Sequence, residues 1–107
     1  MENKKIEVIG NKFKADFGDY SFELNFESET QLTWKALANE GFGAWETVQM
    51  TKIEIRPNVY MMYWKEKSGT TVTHVEDFEM GLLYTNITSP EHNFLNLKGT
   101  LSLMGKI

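Results

Sequence analysis

The sequence predicts an all-β protein, a small eight-stranded antiparallel up-and-down barrel. Three observations support this fold class. Apolar and polar residues alternate with a period of two along most of the chain, and no segment shows the sustained 3.6-residue spacing of an amphipathic helix. Aromatic residues, which favour strands, make up 13% of the chain. Turn-forming residues interrupt the alternation repeatedly, as expected where short hairpins connect neighbouring strands.

The first half of the chain predicts four strands. The most regular one covers residues 20–27, where aromatic or aliphatic residues occupy every second position. Two glycines within residues 39–43 predict a longer loop, and the flanking Trp34 and Trp45 are expected to cap a barrel end or to pack in the core. The alternation in the following strand shifts phase, which predicts a bulge near Met50. The strands of this half are expected at residues 13–17, 20–27, 31–36 and 45–55.

The second half predicts four more strands. Pro57 ends the preceding strand, because proline cannot donate to a central ladder. The segment 67–70 reads Lys-Ser-Gly-Thr and predicts a tight hairpin, while residues 79–81 and 89–93 predict a turn and a loop. The strands of this half are expected at residues 59–65, 71–78, 82–88 and 94–104.

Eight strands joined in sequence order favour a closed barrel, because closure removes the two exposed edges that an open meander would leave. A two-sheet sandwich is the alternative. An eight-stranded barrel has an interior that holds either packed side chains or one small ligand, and the sequence leaves both open. The 107 residues suffice for one such domain, which we expect to span residues 1–107.

Composition argues against several classes of function. The formal net charge is −4 and no basic stripe is present, so we expect no nucleic-acid binding and no attachment to anionic membranes. The chain has no cysteine and no apolar run of the roughly 18–20 residues that a membrane helix needs, which favours the cytoplasm. His74 and His92 lack the spacing of metal ligands, so we expect neither a metal nor another cofactor.

The hairpins of the second half predict which side chains share a face. A two-residue loop at Ser68-Gly69 would pair Trp64 with Thr73, and a second such loop at residues 79–80 would continue the register. The face expected to point inward carries Tyr60, Met62, Trp64, Glu66, Thr71, Thr73, Val75, Asp77, Leu82, Tyr84 and Asn86. The face expected to point outward carries Met61, Tyr63, Lys65, Val72, His74, Glu76, Leu83 and Thr85.

The segments Val-Tyr-Met-Met-Tyr-Trp-Lys-Glu at 59–66, Gly-Thr-Thr-Val-Thr at 69–73 and Leu-Tyr-Thr-Asn-Ile at 83–87 resemble the MoaF-like proteins. The resemblance covers nearly the whole chain and includes Gly10-Asn11-Lys12-Phe13 at its start. It implies a small lipocalin-like barrel of the calycin group, with no particular ligand.

The Trp-x-Glu segment also resembles phenolic acid decarboxylase, an enzyme on a related barrel. That family uses a glutamate in this hairpin together with an arginine and a pair of tyrosines. Glu66 matches the glutamate, whereas Phe13 and Ala15 stand near the tyrosine positions and Ala44 near the arginine position. The groups that would clamp a carboxylate are therefore missing.

Three hypotheses follow for the function. The first is a non-catalytic barrel that binds a small apolar or aromatic molecule, with Glu66 at the mouth. The second is a lyase or isomerase in which Glu66, the only catalytic candidate, transfers a proton with help from Tyr60 or Tyr84. The third is a homodimeric interaction module that packs through exposed Met61, Tyr63 and Leu83. The residues expected to line the ligand site are Tyr60, Met62, Trp64, Thr73, Tyr84 and Asn86.

Overall fold

The computed structural model of the protein describes residues 5–37 and 43–107, and it confirms the predicted fold class. Eight antiparallel strands pair in sequence order and the last returns to the first, so the sheet closes into an up-and-down barrel. Within these two segments, the structure contains no helix that could span a membrane. The strands are β1 (Asn11–Asp16), β2 (Ser21–Phe26), β3 (Gln31–Ala36), β4 (Trp45–Arg56), β5 (Val59–Lys65), β6 (Thr71–Asp77), β7 (Leu82–Thr88) and β8 (Phe94–Lys106).

Strands β1 and β8 close the barrel. Ala15 pairs with Leu101, and the register shifts between Lys12 and Phe13. The closure requires a close approach at Gly99, because a Cβ atom there would collide with the backbone oxygen of Asp16. Only glycine lets these two strands approach each other this closely.

One end of the barrel, here named the closed end, is filled by aromatic rings. Phe78 packs edge-to-face against Phe13, with ring centroids 4.8 Å apart, and it also contacts Phe26 and Tyr60 at 6.0 and 5.9 Å. Such pairs each contribute about 0.5–1.5 kcal/mol beyond the area they bury. Val8, which precedes β1, is also buried in the hydrophobic core.

The hairpin between β5 and β6 corrects one prediction. Glu66 N donates to Thr70 O at 2.7 Å, so the loop has three residues, 67–69, rather than two. Gly69, with φ +99°, supplies the left-handed residue that such loops need. Trp64 therefore pairs with Val72 instead of Thr73.

This one-residue difference reverses the faces of β6 and β7, because side chains alternate with a period of two. The β6–β7 register is the predicted one, with Val75 opposite Tyr84, and it carries the reversal onward. Five residues of β6 and β7 that were predicted to face outward face the barrel interior instead. The residues of β6 and β7 that alternate with them were predicted to face inward, and that prediction was also wrong. The five inward residues are Val72, His74, Glu76, Leu83 and Thr85.

The bulge predicted near Met50 was also wrong. Val48 and Met50 are both buried, so the alternation continues through this point. The register shift lies between Glu54 and Arg56, close to the turn into β5. The phase change in the sequence arises because Ile53 and Ile55 are exposed rather than inward, at 42% and 55%. The loop predicted at residues 39–43 lies outside the described residues except for Gly43.

Candidate functional site

A cavity of about 180 Å³ lies inside the barrel at the end opposite the ring cluster, here named the open end. It exceeds the roughly 150 Å³ of an engineered apolar cavity that binds benzene, and it is smaller than the roughly 300 Å³ typical of pockets for larger ligands. The interior is thus packed at one end and hollow at the other. Its apolar walls come from Phe17, Phe22, Leu24, Trp34, Val72 and Ile87.

The local sequence explains these walls. Phe22 and Leu24 occupy alternate positions of β2, so both point inward, and Phe17 follows the end of β1. Phe22 lies edge-to-face against Phe17 and Trp34, with ring centroids 6.3 and 6.1 Å apart. The three rings hold one another in place, which gives the cavity a preformed shape.

A buried histidine–glutamate pair forms part of the cavity. His74 and Glu76 both point inward from β6, and the Nδ1 atom of His74 lies 2.7 Å from the Oε2 atom of Glu76. Glu76 is 0% exposed. When Nδ1 carries the ring proton, Glu76 Oε2 accepts it in a hydrogen bond, and the lone pair of the neutral ring lies on Nε2. Nε2 is then the histidine atom that can meet a molecule in the cavity.

The histidine ring is held on two sides. The ring of Trp64 lies edge-on against it with centroids 4.9 Å apart, and that of Phe17 lies at 6.4 Å. The second carboxylate oxygen of Glu76, Oε1, is buried and has no hydrogen-bond partner among the described residues. An unsatisfied buried oxygen is costly, which makes it unusual in a purely structural pair.

Glu66 adds a second acidic group to the cavity lining. It lies just after β5, and its Oε2 atom accepts a hydrogen bond from Trp64 Nε1 at 3.1 Å. Burial raises the pKa of Glu66 above its usual value, and nearby Glu46 raises it further. The Trp64 bond and His74 act in the opposite direction. Burial is the largest of these effects, so this carboxyl holds its proton to a higher pH than an exposed glutamate.

The indole of Trp34 supplies a donor without an acceptor. Its Nε1 atom is buried and makes no hydrogen bond to any residue within the two described segments. Leaving such a donor unsatisfied costs about 1–3 kcal/mol. A ligand with an acceptor group would satisfy it.

Comparison with known proteins identifies the family. The MoaF-like family model matches residues 9–102, which is most of the chain. The chain belongs to the MoaF-like family. No curated protein matches it significantly. The likeness to phenolic acid decarboxylase stays a prediction.

The barrel of this MoaF-like protein also occurs in a solved structure. A Burkholderia vietnamiensis protein described as a "putative beta-lactamase" superposes with a TM-score of 0.88. The two sequences are 20% identical, and the match covers 95% of this chain and 100% of the other. At this level of identity, the likeness shows a shared fold and nothing more.

Two of the seven predicted site residues, Trp64 and Glu66, line the cavity of the MoaF-like barrel. Tyr60 and Met62 also point inward but lie elsewhere. Tyr60 packs at the closed end, where the Nζ atom of Lys52 lies 4.6 Å from its ring centroid. Met62 is fully buried in the core.

The inward orientation predicted for Thr73, Tyr84 and Asn86 was wrong. Thr73 and Asn86 pair across the outer face of β6 and β7, and Asn86 Oδ1 accepts a hydrogen bond from Asn96 Nδ2 at 2.5 Å. Tyr84 is 49% exposed, with Lys98 above its ring. These side chains cannot contribute to the cavity.

Of the three residues proposed for a dimer surface, Tyr63 is 41% exposed and Met61 is half-buried. Leu83 is fully buried, so its predicted exposure was wrong. The sequence analysis likewise missed His74 and Glu76, which it had placed outside. The glycine at the third position of the Lys-Ser-Gly loop is the signal that could have found them.

Proposed function

We propose that this MoaF-like protein binds a small, neutral, largely apolar molecule with one ring and one hydrogen-bonding acceptor. The observation that carries the proposal is the apolar cavity of about 180 Å³ at the open end, whose wall includes Trp34 with a buried Nε1 donor that has no partner among the described residues. Small-molecule sites typically combine such apolar walls with a few placed polar groups.

The size of the cavity limits the ligand. A space slightly larger than one that accepts benzene holds a six-membered ring with a short substituent. A fused multi-ring ligand would need the closed end, which the rings of Phe13 and Phe78 already occupy.

The charges favour a neutral ligand. Glu66 lines the cavity and Glu46 lies near it, whereas none of the lining residues in the described segments is lysine or arginine. An anionic ligand would find no compensating cation among these lining residues, in either protonation state of Glu66. The acceptor is therefore expected to be a carbonyl or hydroxyl oxygen rather than a carboxylate.

The three indole N–H signals in a ¹H–¹⁵N spectrum test this proposal. Acetophenone, which has one ring and one carbonyl oxygen, is expected to shift the signals of Trp34 and Trp64. Trp45 is 66% exposed and serves as an internal reference whose signal stays in place. Ethylbenzene, which lacks the acceptor, should bind several-fold more weakly, because one hydrogen bond contributes about 0.5–1.5 kcal/mol.

A pair of variants on β6 controls for binding elsewhere. Val72→Phe fills the cavity and should abolish the shifts, whereas Val75→Phe adds the same ring to the outer face and should preserve them. If acetophenone leaves both cavity indoles unmoved, or if Val72→Phe leaves the shifts intact, the proposed binding site is wrong.

A further inference from the structure

We propose that the same cavity is a proton-transfer site, in which His74 acts as the general base and Glu76 positions it, and that its substrates are small cyclic ketones with a β,γ carbon–carbon double bond. This inference rests on the proposed function, because the substrate must enter the cavity at the open end.

The base is defined by geometry. Glu76 Oε2 occupies the Nδ1 side of His74 at 2.7 Å, so in the tautomer in which Nδ1 donates to it, a further proton can be taken up only at Nε2. The buried carboxylate then lies beside the imidazolium that forms and stabilises its positive charge. The rings of Trp64 and Phe17 restrict the tilt of the imidazole, so its lone pair keeps one direction.

The Oε1 atom of Glu76, which has no partner in residues 5–37 and 43–107, supports a functional role. A glutamate that is 0% exposed with one such oxygen weakens the folded state relative to an apolar side chain. Its contact with His74 in the cavity wall gives this side chain a use that an apolar residue could not supply.

A proton-transfer site also needs a hydrogen-bond donor for the ketone oxygen, because this oxygen gains negative charge as the proton leaves the carbon. Trp34 lines the same cavity, and its buried Nε1 donor has no partner among the described residues. Glu66 in its protonated form is a second donor, and the burial that raises its pKa favours that form. Both groups act on a neutral ketone without a metal ion.

The step balances without any co-reactant. In a ketone with a β,γ carbon–carbon double bond, His74 Nε2 takes a proton from the carbon between the carbonyl group and that double bond, so a C–H bond breaks and an N–H bond forms. The electron pair becomes the double bond of a dienolate, whose oxygen accepts hydrogen bonds from Trp34 and Glu66. Nε2 then returns the proton to the γ-carbon, and the carbon–carbon double bond moves into conjugation with the carbonyl group. Nothing is oxidised or reduced.

The probe for this reaction is 3-cyclohexen-1-one, a single-ring ketone of suitable size. Wild-type protein is expected to convert it to 2-cyclohexen-1-one, which is followed by the ultraviolet absorbance of the conjugated enone. His74→Gln should lower kcat by at least about 100-fold, the usual contribution of a general base. His92→Asn removes the other histidine, which lies in a loop, and should leave the rate unchanged.

Substitution of Glu76 should change the kinetics in a different way, because Glu76 acts through His74 rather than on the ketone. Glu76→Gln should lower kcat by about tenfold or more with little change in KM, since the ketone does not touch this side chain. The exposed Glu79→Gln is its matched control. An equal loss from Glu79→Gln, or a change confined to KM in Glu76→Gln, would contradict the positioning role.

A measurement on the unmodified protein keeps the inference testable if the His74 variant does not fold. The ¹⁵N shifts of the His74 ring should show a proton on Nδ1 and a lone pair on Nε2. A proton on Nε2 of the neutral ring overturns the inference. If acetophenone moves the cavity indoles but wild-type protein does not isomerise the ketone, proton transfer is wrong and ligand binding stands. If neither occurs, both are wrong.

Discussion

His74 and Glu76 lie two positions apart on β6 and meet inside the barrel, where Nδ1 and Oε2 are 2.7 Å apart. Breaking a buried pair by removing one partner usually costs about 3–5 kcal/mol, whereas replacing both partners with apolar residues is often neutral. We therefore expect Glu76→Ala to lower the free energy of unfolding by about that amount. The double variant His74→Leu/Glu76→Met should regain most of the loss.

Urea unfolding of wild type, the single variant and the double variant measures this coupling. Glu79→Ala, in an exposed turn, should change stability by no more than about 0.5 kcal/mol. A double variant less stable than Glu76→Ala would show that the pair contributes to stability rather than to function.

Glu66 predicts a pH dependence of stability. Burial raises its folded-state pKa above the ordinary value, so between these two values the folded protein holds a proton that the unfolded chain has released. Stability is consequently lost as pH rises through this window. Glu66→Gln cannot ionise and should be more stable than wild type at about pH 7, with the difference vanishing below about pH 4.

Urea unfolding at both pH values tests the sign of the Glu66 effect. The glutamine can still accept the hydrogen bond from Trp64 Nε1, so the comparison isolates the charge. A glutamine variant that is less stable at neutral pH would mean that the ionised carboxylate is favoured in the folded state.

Neighbouring residues on β7 test the corrected register. Leu83 is 0% exposed and Tyr84 is 49% exposed. Leu83→Ala should lower the free energy of unfolding by about 2–5 kcal/mol, because it leaves a cavity in the core. Tyr84→Ala should cost under about 1 kcal/mol. Thermal unfolding of both variants tests this order. A larger loss of stability in Tyr84→Ala than in Leu83→Ala would support the two-residue loop instead.

Gly99 predicts a steric limit on barrel closure. An added Cβ atom would overlap the backbone oxygen of Asp16 and the ring of Phe17. Gly99→Ala should therefore destabilise the protein by about 1–3 kcal/mol or more, as overpacked sites do. Ser102→Ala, at an exposed position of the same strand, is the control for urea unfolding. Equal midpoints for the two variants would contradict the close approach.

The strands were predictable because alternation and turn residues agree with one another over most of the chain. The element starts at Gln31, Trp45, Val59, Thr71, Leu82 and Phe94 coincide with those predicted. Closure was predictable because consecutive hairpins leave two edges that need a partner.

The site was less predictable, for two physical reasons. A loop of three residues, 67–69, shifts the pairing of β5 with β6 by one residue relative to a two-residue loop at Ser68-Gly69. Because side chains alternate with a period of two, this shift reverses the direction of every side chain on β6. Two side chains that face the barrel interior can also lie far apart along the barrel axis. Tyr60 and Trp64 both point inward, yet four residues of strand separate them by roughly 13 Å, so one lies at each end of the barrel.

The pairing of β1 with β8 has a consequence for synthesis of the chain. The first strand can find its second neighbour only after the last strand has left the ribosome, because these two strands lie at opposite ends of the sequence. Until then a nascent sheet presents two unpaired edges, which are templates for association with other chains. Such long-range pairing also slows folding. The interval before closure is therefore when the growing sheet is most exposed to association with other chains.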